Sequence, residues 1–241
     1  MRTSRPLRVL RSVALLGALA ALDACSSSSP DPSPGAGTPS VGAPGSSGGG
    51  GYAPPPKGGP DNPPVVDPTD DPNAAPCSGK AGELYALSAR PLSATADIPL
   101  CRFDGKVLLV VNVASHCGST PQYAPLQAIY DKYRAQGFYV LGFPSKTFNQ
   151  EFSDDKDVSA FCTSEYKITF PMFSIANVNA PAEQPVYTWL KGQPGYAEDV
   201  AWNFEKFLVS RHGKVVKRIL TGTTPDDPEV TGAIEAELAK P

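Results

Sequence analysis

The pattern of apolar and polar positions is sharpest between Lys106 and Gln122, KVLLVVNVASHCGSTPQ. Six of the first eight residues are Val or Leu, and the run is too short for a helix. It predicts a strand buried on both faces, in the middle of a sheet. The run ends in small polar residues, Ala114-Ser115-His116-Cys117-Gly118, and Pro121 suits the first turn of a new helix. Tyr123, Leu126, Ile129, Tyr130 and Tyr133 then recur near helical spacing and predict a helix over Pro121–Ala135. A second buried strand is expected at Phe138–Phe143, a helix at Asp154–Tyr166, and a third strand at Thr169–Ile175. A short helix follows at Val186–Lys191. Phe204–Ser210 and Lys214–Leu220 read as a hairpin around Arg211-His212-Gly213, and Pro228–Ala239 as a closing amphipathic helix. Leu84–Leu100 reads as an edge hairpin or an irregular lead-in. The order β-α-β-α-β-β-α is that of an α/β domain with a mixed central sheet.

Composition changes the picture before residue 77. Arg2, Arg5, Arg8 and Arg11 precede a ten-residue apolar run, Val13–Leu22, too short to span a bilayer comfortably. Leu22-Asp23-Ala24-Cys25 follows. Residues 1–24 therefore follow the plan of a signal peptide, and their ending resembles the lipobox of bacterial lipoproteins, with Asp23 an unusual occupant. That resemblance implies acylation of Cys25 and an anchor in the membrane of a bacterial cell envelope. The other reading is a plain secretory signal cut nearby. Ser26–Pro76 holds 14 Pro, 10 Gly and 8 Ser in 51 residues. It cannot bury enough surface to offset its ordering entropy, so a disordered linker is expected over 25–76. Its end-to-end distance would be roughly 40 Å, enough for a stalk. Removing residues 1–24 takes away four Arg and one Asp and leaves 17 basic against 23 acidic side chains, a net charge of −6. There is no long basic run, so nucleic acid is not an expected partner.

Cys117 is the candidate reactive group. On a strand-to-helix turn, helix N–H groups point at the sulfur with the positive end of their dipoles and favour the thiolate. The bland alternative is a small buried cysteine filling core space. The wider sequence decides between them. Asn112–Tyr123 (NVASHCGSTPQY), followed by Gly137–Pro144 (GFYVLGFP), strongly resembles the glutathione peroxidase family. Three later blocks match in order: Phe161–Phe173 (FCTSEYKITFPMF), Pro185–Lys191 (PVYTWLK) and Trp202–Arg218 (WNFEKFLVSRHGKVVKR). The resemblance covers about residues 82–240 and implies a thioredoxin-like fold for the domain over 77–241. It implies that Cys117 reduces hydroperoxides, that Trp202 and Asn203 supply donors to the developing alkoxide, and that Cys162 resolves the sulfenic acid as a disulfide. A thioredoxin-like dithiol protein would then reduce that disulfide, and no cofactor or metal is required. Nothing between Lys191 and Asp199 resembles the insertion that builds tetrameric members, so a monomer is expected.

One position departs from the family. Where its motif reads F-P-C-N-Q-F-G-x-Q-E, this chain reads Phe143-Pro144-Ser145-Lys146-Thr147-Phe148-Asn149-Gln150-Glu151. Thr147 stands where a catalytic Gln is expected, and one residue is missing before Gln150. A hydroxyl has one donor where an amide has two, and losing a charge-stabilising donor can cost on the order of 10²-fold in rate. Gln150 moving into the space, or Lys146 supplying charge, would offset the loss.

Five cysteines occur, at 25, 77, 101, 117 and 162. With Cys25 acylated, four remain in an oxidising compartment, which allows three pairings. Cys77–Cys101 is preferred as a structural bridge, worth about 3 kcal/mol in the chain-entropy picture, beside Cys117 and Cys162 as the redox pair. Other readings fit less well. An anchored thiol–disulfide oxidoreductase needs Cys-x-x-Cys, and this chain has Cys117-Gly118-Ser119-Thr120. A copper-delivery protein would want Cys-x-x-x-Cys. A weakened peroxidase-like domain acting as an oxidant sensor or binding module on a stalk is kept open by Thr147.

Overall fold

The computed structural model describes Gly79, residues 83–92 and residues 94–241. The expected signal segment, Cys25, the linker and Cys77 lie outside the described residues. The lead-in is irregular, as its mixed pattern predicts. Two 3₁₀ turns, Leu84–Ala86 and Leu100–Phe103, flank a two-residue antiparallel ribbon of β1 (Ser88–Ala89) and β2 (Ile98–Pro99).

The centre is a four-stranded sheet built from β3 (Val107–Val113), β4 (Phe138–Pro144), β5 (Lys206–Val209) and β6 (Val215–Ile219), in the order β4-β3-β5-β6. β3 runs parallel to β4 and antiparallel to β5, so the sheet is mixed. All seven residues of β3 and all seven of β4 are buried, as expected for strands covered on both faces. β5 and β6 are joined through Ser210–Lys214, where Ser210 N–H donates to Lys214 O and Gly213 N–H to Ser210 O. Helix α1 (Tyr123–Tyr133) packs on β4 with Tyr123, Leu126, Ile129, Tyr130 and Tyr133 buried. It ends through a 3₁₀ turn at Gly137, whose φ of 89° suits a residue without Cβ. The remaining helices are α2 (Asp155–Tyr166), α3 (Pro185–Lys191) and α4 (Pro228–Leu238), the last packed on β3. The fold is thioredoxin-like, with the mixed sheet flanked by helices.

The expected third strand at Thr169–Ile175 is absent as a strand. Only Met172 and Phe173 bridge to neighbours, Met172 to Gly142 and Phe173 to Pro91. Gly142 N–H donates to Pro171 O and Phe173 N–H to Gly142 O, each at 2.9 Å, which begins a parallel ladder on β4. Prolines stop it on both sides: neither Pro171 nor Pro144 has an N–H to give. The segment also passes very close to β4. A Cβ at Gly142 would lie 2.3 Å from Met172 Sδ, so any larger residue there would force the Met172 side chain to move.

Candidate active site

Cys117 sits where β3 has ended and a 3₁₀ turn, Thr120–Gln122, leads into α1. The turn is tied from within. Thr120 Oγ1 donates to Ala114 O at 2.8 Å and accepts from Cys117 N–H at 3.0 Å, while Thr120 N–H donates to Cys117 O at 3.0 Å. Ser119 N–H points at the Cys117 sulfur, 3.3 Å away. The sulfur is therefore a fixed acceptor of a backbone donor in a residue only 7% exposed. His116, exposed, packs its ring edge-on against Phe152 at 4.2 Å, and its N–H donates to Gln150 O at 2.9 Å.

The Trp202–Asn203 pair lies in the turn that enters β5, and the buried end of β3 holds that turn. Asn112, fully buried in an otherwise apolar strand, donates from Nδ2 to Trp202 O at 3.1 Å and accepts Glu205 N–H on Oδ1 at 3.1 Å. Its backbone carbonyl takes Phe204 N–H at 2.6 Å. These bonds hold Phe204 at φ 63°, a left-handed conformation that costs an ordinary side chain roughly 1–2 kcal/mol. From the other side Thr221 Oγ1 donates to Asn203 O at 2.8 Å, and Gln122 Nε2 donates to Thr221 O at 2.8 Å. Lys206 is buried beneath and gives its Nζ to Phe204 O and Thr223 O, each at 2.8 Å. Burial pulls its pKa down to about 8, against the opposing pull of Glu205. The loop leading into the turn is pinned by Arg218. Its Nη1 and Nη2 donate to Glu198 O and Asp199 O at 2.7 Å, and its Nε pairs with the buried Glu205 carboxylate. Glu205 Oε2 accepts Ala201 N–H at 2.8 Å.

This scaffold leaves Trp202 42% exposed, its ring 5.0 Å from Phe148, and Asn203 fully buried. The amide that meets Asn203 is Gln150, whose Oε1 accepts from Asn203 Nδ2 at 2.9 Å. Thr147 is committed to its own loop: its hydroxyl bonds Ser145 Oγ at 3.0 Å and accepts Val178 N–H at 2.9 Å. Lys146 gives its ammonium to Ser153 O at 2.9 Å. Sequence reasoning gave no role to Asn112, and it offered Gln150 only as a substitute for Thr147. The available signal for Asn112 was a lone amide inside a Val/Leu run, since a buried polar side chain must find partners.

Cys162 lies on α2, 3% exposed. Its thiol is pushed up to about 11, first by burial and then by the Glu151 carboxylate, with Tyr123 pulling the other way. It lines an open cavity of about 190 Å³ between α2 and residues 168–172, which Cys117 does not line. Among the described residues Cys117 and Cys162 are free, whereas Cys101 is disulfide-bonded. Among the described residues, no three His, Cys, Asp or Glu side chains gather as a metal site would require.

Comparison with known proteins gives this arrangement its context. The family model for glutathione peroxidase matches residues 84–191. The hydroperoxy fatty acid reductase gpx1 of Synechocystis is 44% identical over 164 residues, covering 64% of this chain and 95% of that protein. The chain belongs to the glutathione peroxidase family. Another member, the thioredoxin/glutathione peroxidase BtuE of Escherichia coli, is 43% identical over 162 residues, covering 58% of this chain and 88% of its own. The solved structure of Trgpx in apo form is similar at TM-score 0.54 and 35% identity, over 67% of this chain and 99% of that one. T. cruzi GPX1 is similar at TM-score 0.51 and 30% identity, over 65% and 96%.

Proposed function

We propose that this member of the peroxidase family is a two-cysteine thiol peroxidase that reduces hydrogen peroxide or organic and lipid hydroperoxides. The observation that carries the reading is the convergence at the end of β3. Cys117 receives a backbone N–H on its sulfur, and the same strand, through Asn112, fixes the Trp202–Asn203 turn whose amide meets Gln150. A thiolate attacking a peroxide oxygen needs donors placed in advance where negative charge develops on the leaving alkoxide. In the first step the Cys117 thiolate takes the distal oxygen and becomes a sulfenate, and the alkoxide leaves as an alcohol after protonation. Cys162 then attacks the Cys117 sulfur, water leaves, and a disulfide forms. An external thioredoxin-like dithiol returns both thiols, in keeping with the naming of the E. coli relative as a thioredoxin/glutathione peroxidase.

The placement of the enzyme is part of the same proposal and rests on the sequence. Residues 1–24 direct export, Cys25 carries the lipid, and residues 26–76 are the stalk that holds a monomeric domain away from the membrane of a bacterial envelope. Cys77–Cys101 clips the domain's entry segment, which fits the oxidised state of Cys101.

Two substitutions test the chemistry. Cys117→Ser should abolish hydroperoxide consumption, and activity retained there refutes the site. Cys162→Ser should react once and stop, leaving a Cys117 sulfenic acid that dimedone traps. Normal turnover of that variant with thioredoxin refutes the resolving role.

A further inference from the structure

The cycle leaves one proton without a carrier. Cys162 must lose its thiol proton before it can attack, yet burial holds it as the neutral thiol at physiological pH. Solvent is a poor acceptor for a residue 3% exposed.

A half-buried carboxylate lies between the two cysteine-bearing segments. Glu151 Oε1 accepts Ser115 N–H at 3.3 Å and Phe152 N–H at 2.8 Å, which ties it to the backbone two residues before Cys117. The next residue, Phe152, packs its ring 5.8 Å from Phe161, the residue before Cys162. Residues 151–152 thus face residues 161–162 of α2. Tyr123, the first residue of α1, closes the third side, with its ring 5.3 Å from Tyr166 and 5.4 Å from Phe204. Its hydroxyl faces the Cys162 sulfur without closing a well-formed hydrogen bond. Three buried polar atoms of this cluster close no well-formed hydrogen bond: Glu151 Oε2, Tyr123 OH and Ser115 Oγ. Unpartnered buried groups are costly, and where they persist they mark a working site or an internal water. The groups facing Glu151 are Ser115 and His116 from the turn after β3, Tyr123 from α1 and Cys162 from α2. Burial raises the Glu151 pKa, opposed in turn by the Ser115 hydroxyl, the Phe152 and Ser115 N–H donors and His116, so its basicity moves towards that of a thiolate.

We propose that Glu151, acting through the Tyr123 hydroxyl, accepts the thiol proton of Cys162 during disulfide formation. The proposal rests on the reading of Cys162 as the resolving cysteine. The Cys162 S–H proton passes to the tyrosine oxygen as the tyrosine proton passes to Glu151 Oε2. The Cys162 thiolate attacks the Cys117 sulfenic sulfur, the S–S bond forms, and the S–O bond breaks with its electron pair leaving on hydroxide. The Glu151 carboxylic acid gives its proton to that hydroxide through solvent, so water is the product and the carboxylate is restored. Cys162 is oxidised, the Cys117 sulfur is reduced from sulfenic acid to disulfide, and no further reagent is needed. Glu151 and Tyr123 are positioned proton carriers and do not touch the peroxide.

The test mixes the reduced full chain with one equivalent of hydrogen peroxide. It then follows Cys117 sulfenic acid and the Cys117–Cys162 disulfide by acid quench and mass spectrometry from pH 7 to pH 10. Glu151→Gln keeps an oxygen for Ser115 N–H and Phe152 N–H but cannot take a proton. It should form sulfenic acid readily and the disulfide at least tenfold more slowly than wild type at pH 7. Its disulfide rate should then climb about tenfold per pH unit as the thiolate fraction grows, while the wild-type profile stays flatter. Tyr123→Phe keeps the ring packing and should show the same steepened profile, and it decides the matter if Glu151→Gln does not fold. Wild-type rates in these variants, or a deficit equal at every pH, overturn the relay. If the wild type itself forms no Cys117–Cys162 disulfide, the resolving role falls, and the relay with it.

Discussion

The two cysteine-bearing regions are built on opposite plans. Cys117 follows a strand whose seven residues are all buried, and its turn is closed by three hydrogen bonds involving Thr120. Cys162 rides on a twelve-residue helix that buries only Val158 and itself. At roughly 1.5–3 kcal/mol per fully buried apolar side chain, β3 is anchored several times more strongly than α2. The ends of α2 differ as well. Asp154 caps its start by accepting Lys156 N–H at 2.6 Å, but its C-terminus turns through Lys167 at φ 54°, where glycine would be unstrained. Partly buried Phe161 and Tyr166 add aromatic contacts, each worth about 0.5–1.5 kcal/mol. The contrast suits the proposed chemistry. Oxidation needs a sulfur fixed against preset donors, whereas resolution needs a second sulfur that can leave its place, and segments with few buried contacts open at low cost.

The fixed side should give the largest effect. Gln150→Ala removes the amide that meets Asn203 and should slow oxidation of Cys117 by on the order of 10²-fold. Stopped-flow fluorescence of the half-exposed Trp202 reads that step, and the later disulfide step should be unchanged. Equal losses in both steps would mean that Gln150 merely holds the fold. On the mobile side, Val158→Ala should cost the docking of α2 about 1–2 kcal/mol. It should speed disulfide formation several-fold while leaving oxidation alone, and a slower disulfide would show that α2 reacts in place. The smallest effect belongs to Lys167→Gly. Relieving the left-handed strain should stabilise the end of α2 by up to about 1 kcal/mol and slow disulfide formation a few-fold. Hydrogen exchange of the α2 amides should fall in parallel, and unchanged exchange would remove strain at Lys167 from the account.

Much of the fold was legible because its strands and helices obey local rules. β3 and β4 are near-continuous apolar runs, and the buried positions of α1 are those that helical spacing selects. The third strand misled because β-propensity at Thr169–Ile175 is real, while the ladder it needs is refused by Pro171 within it and by Pro144 across the gap, and only the first is visible from the segment itself. The site was legible only in part, for a similar reason. Alignment with the family motif put Thr147 at the glutamine position, but the one-residue deletion lets the loop place Gln150 against Asn203 and turns Thr147 toward Val178. Asn112 and Glu151 bond backbone far along the chain, at Trp202 and Glu205 and at Ser115, and only Asn112 leaves a local trace, as a lone amide in an apolar run.

The most direct measurement is an anaerobic thiol count on the chain with Cys117 and Cys162 as free thiols, before and after one equivalent of hydrogen peroxide, joined to a non-reduced peptide map. Two thiols should disappear, and one new linked pair, Cys117 with Cys162, should appear while the bond to Cys101 stays as it was. A chain that keeps both thiols, or that stops with Cys117 as a sulfenic acid and Cys162 free, would contradict the two-cysteine cycle.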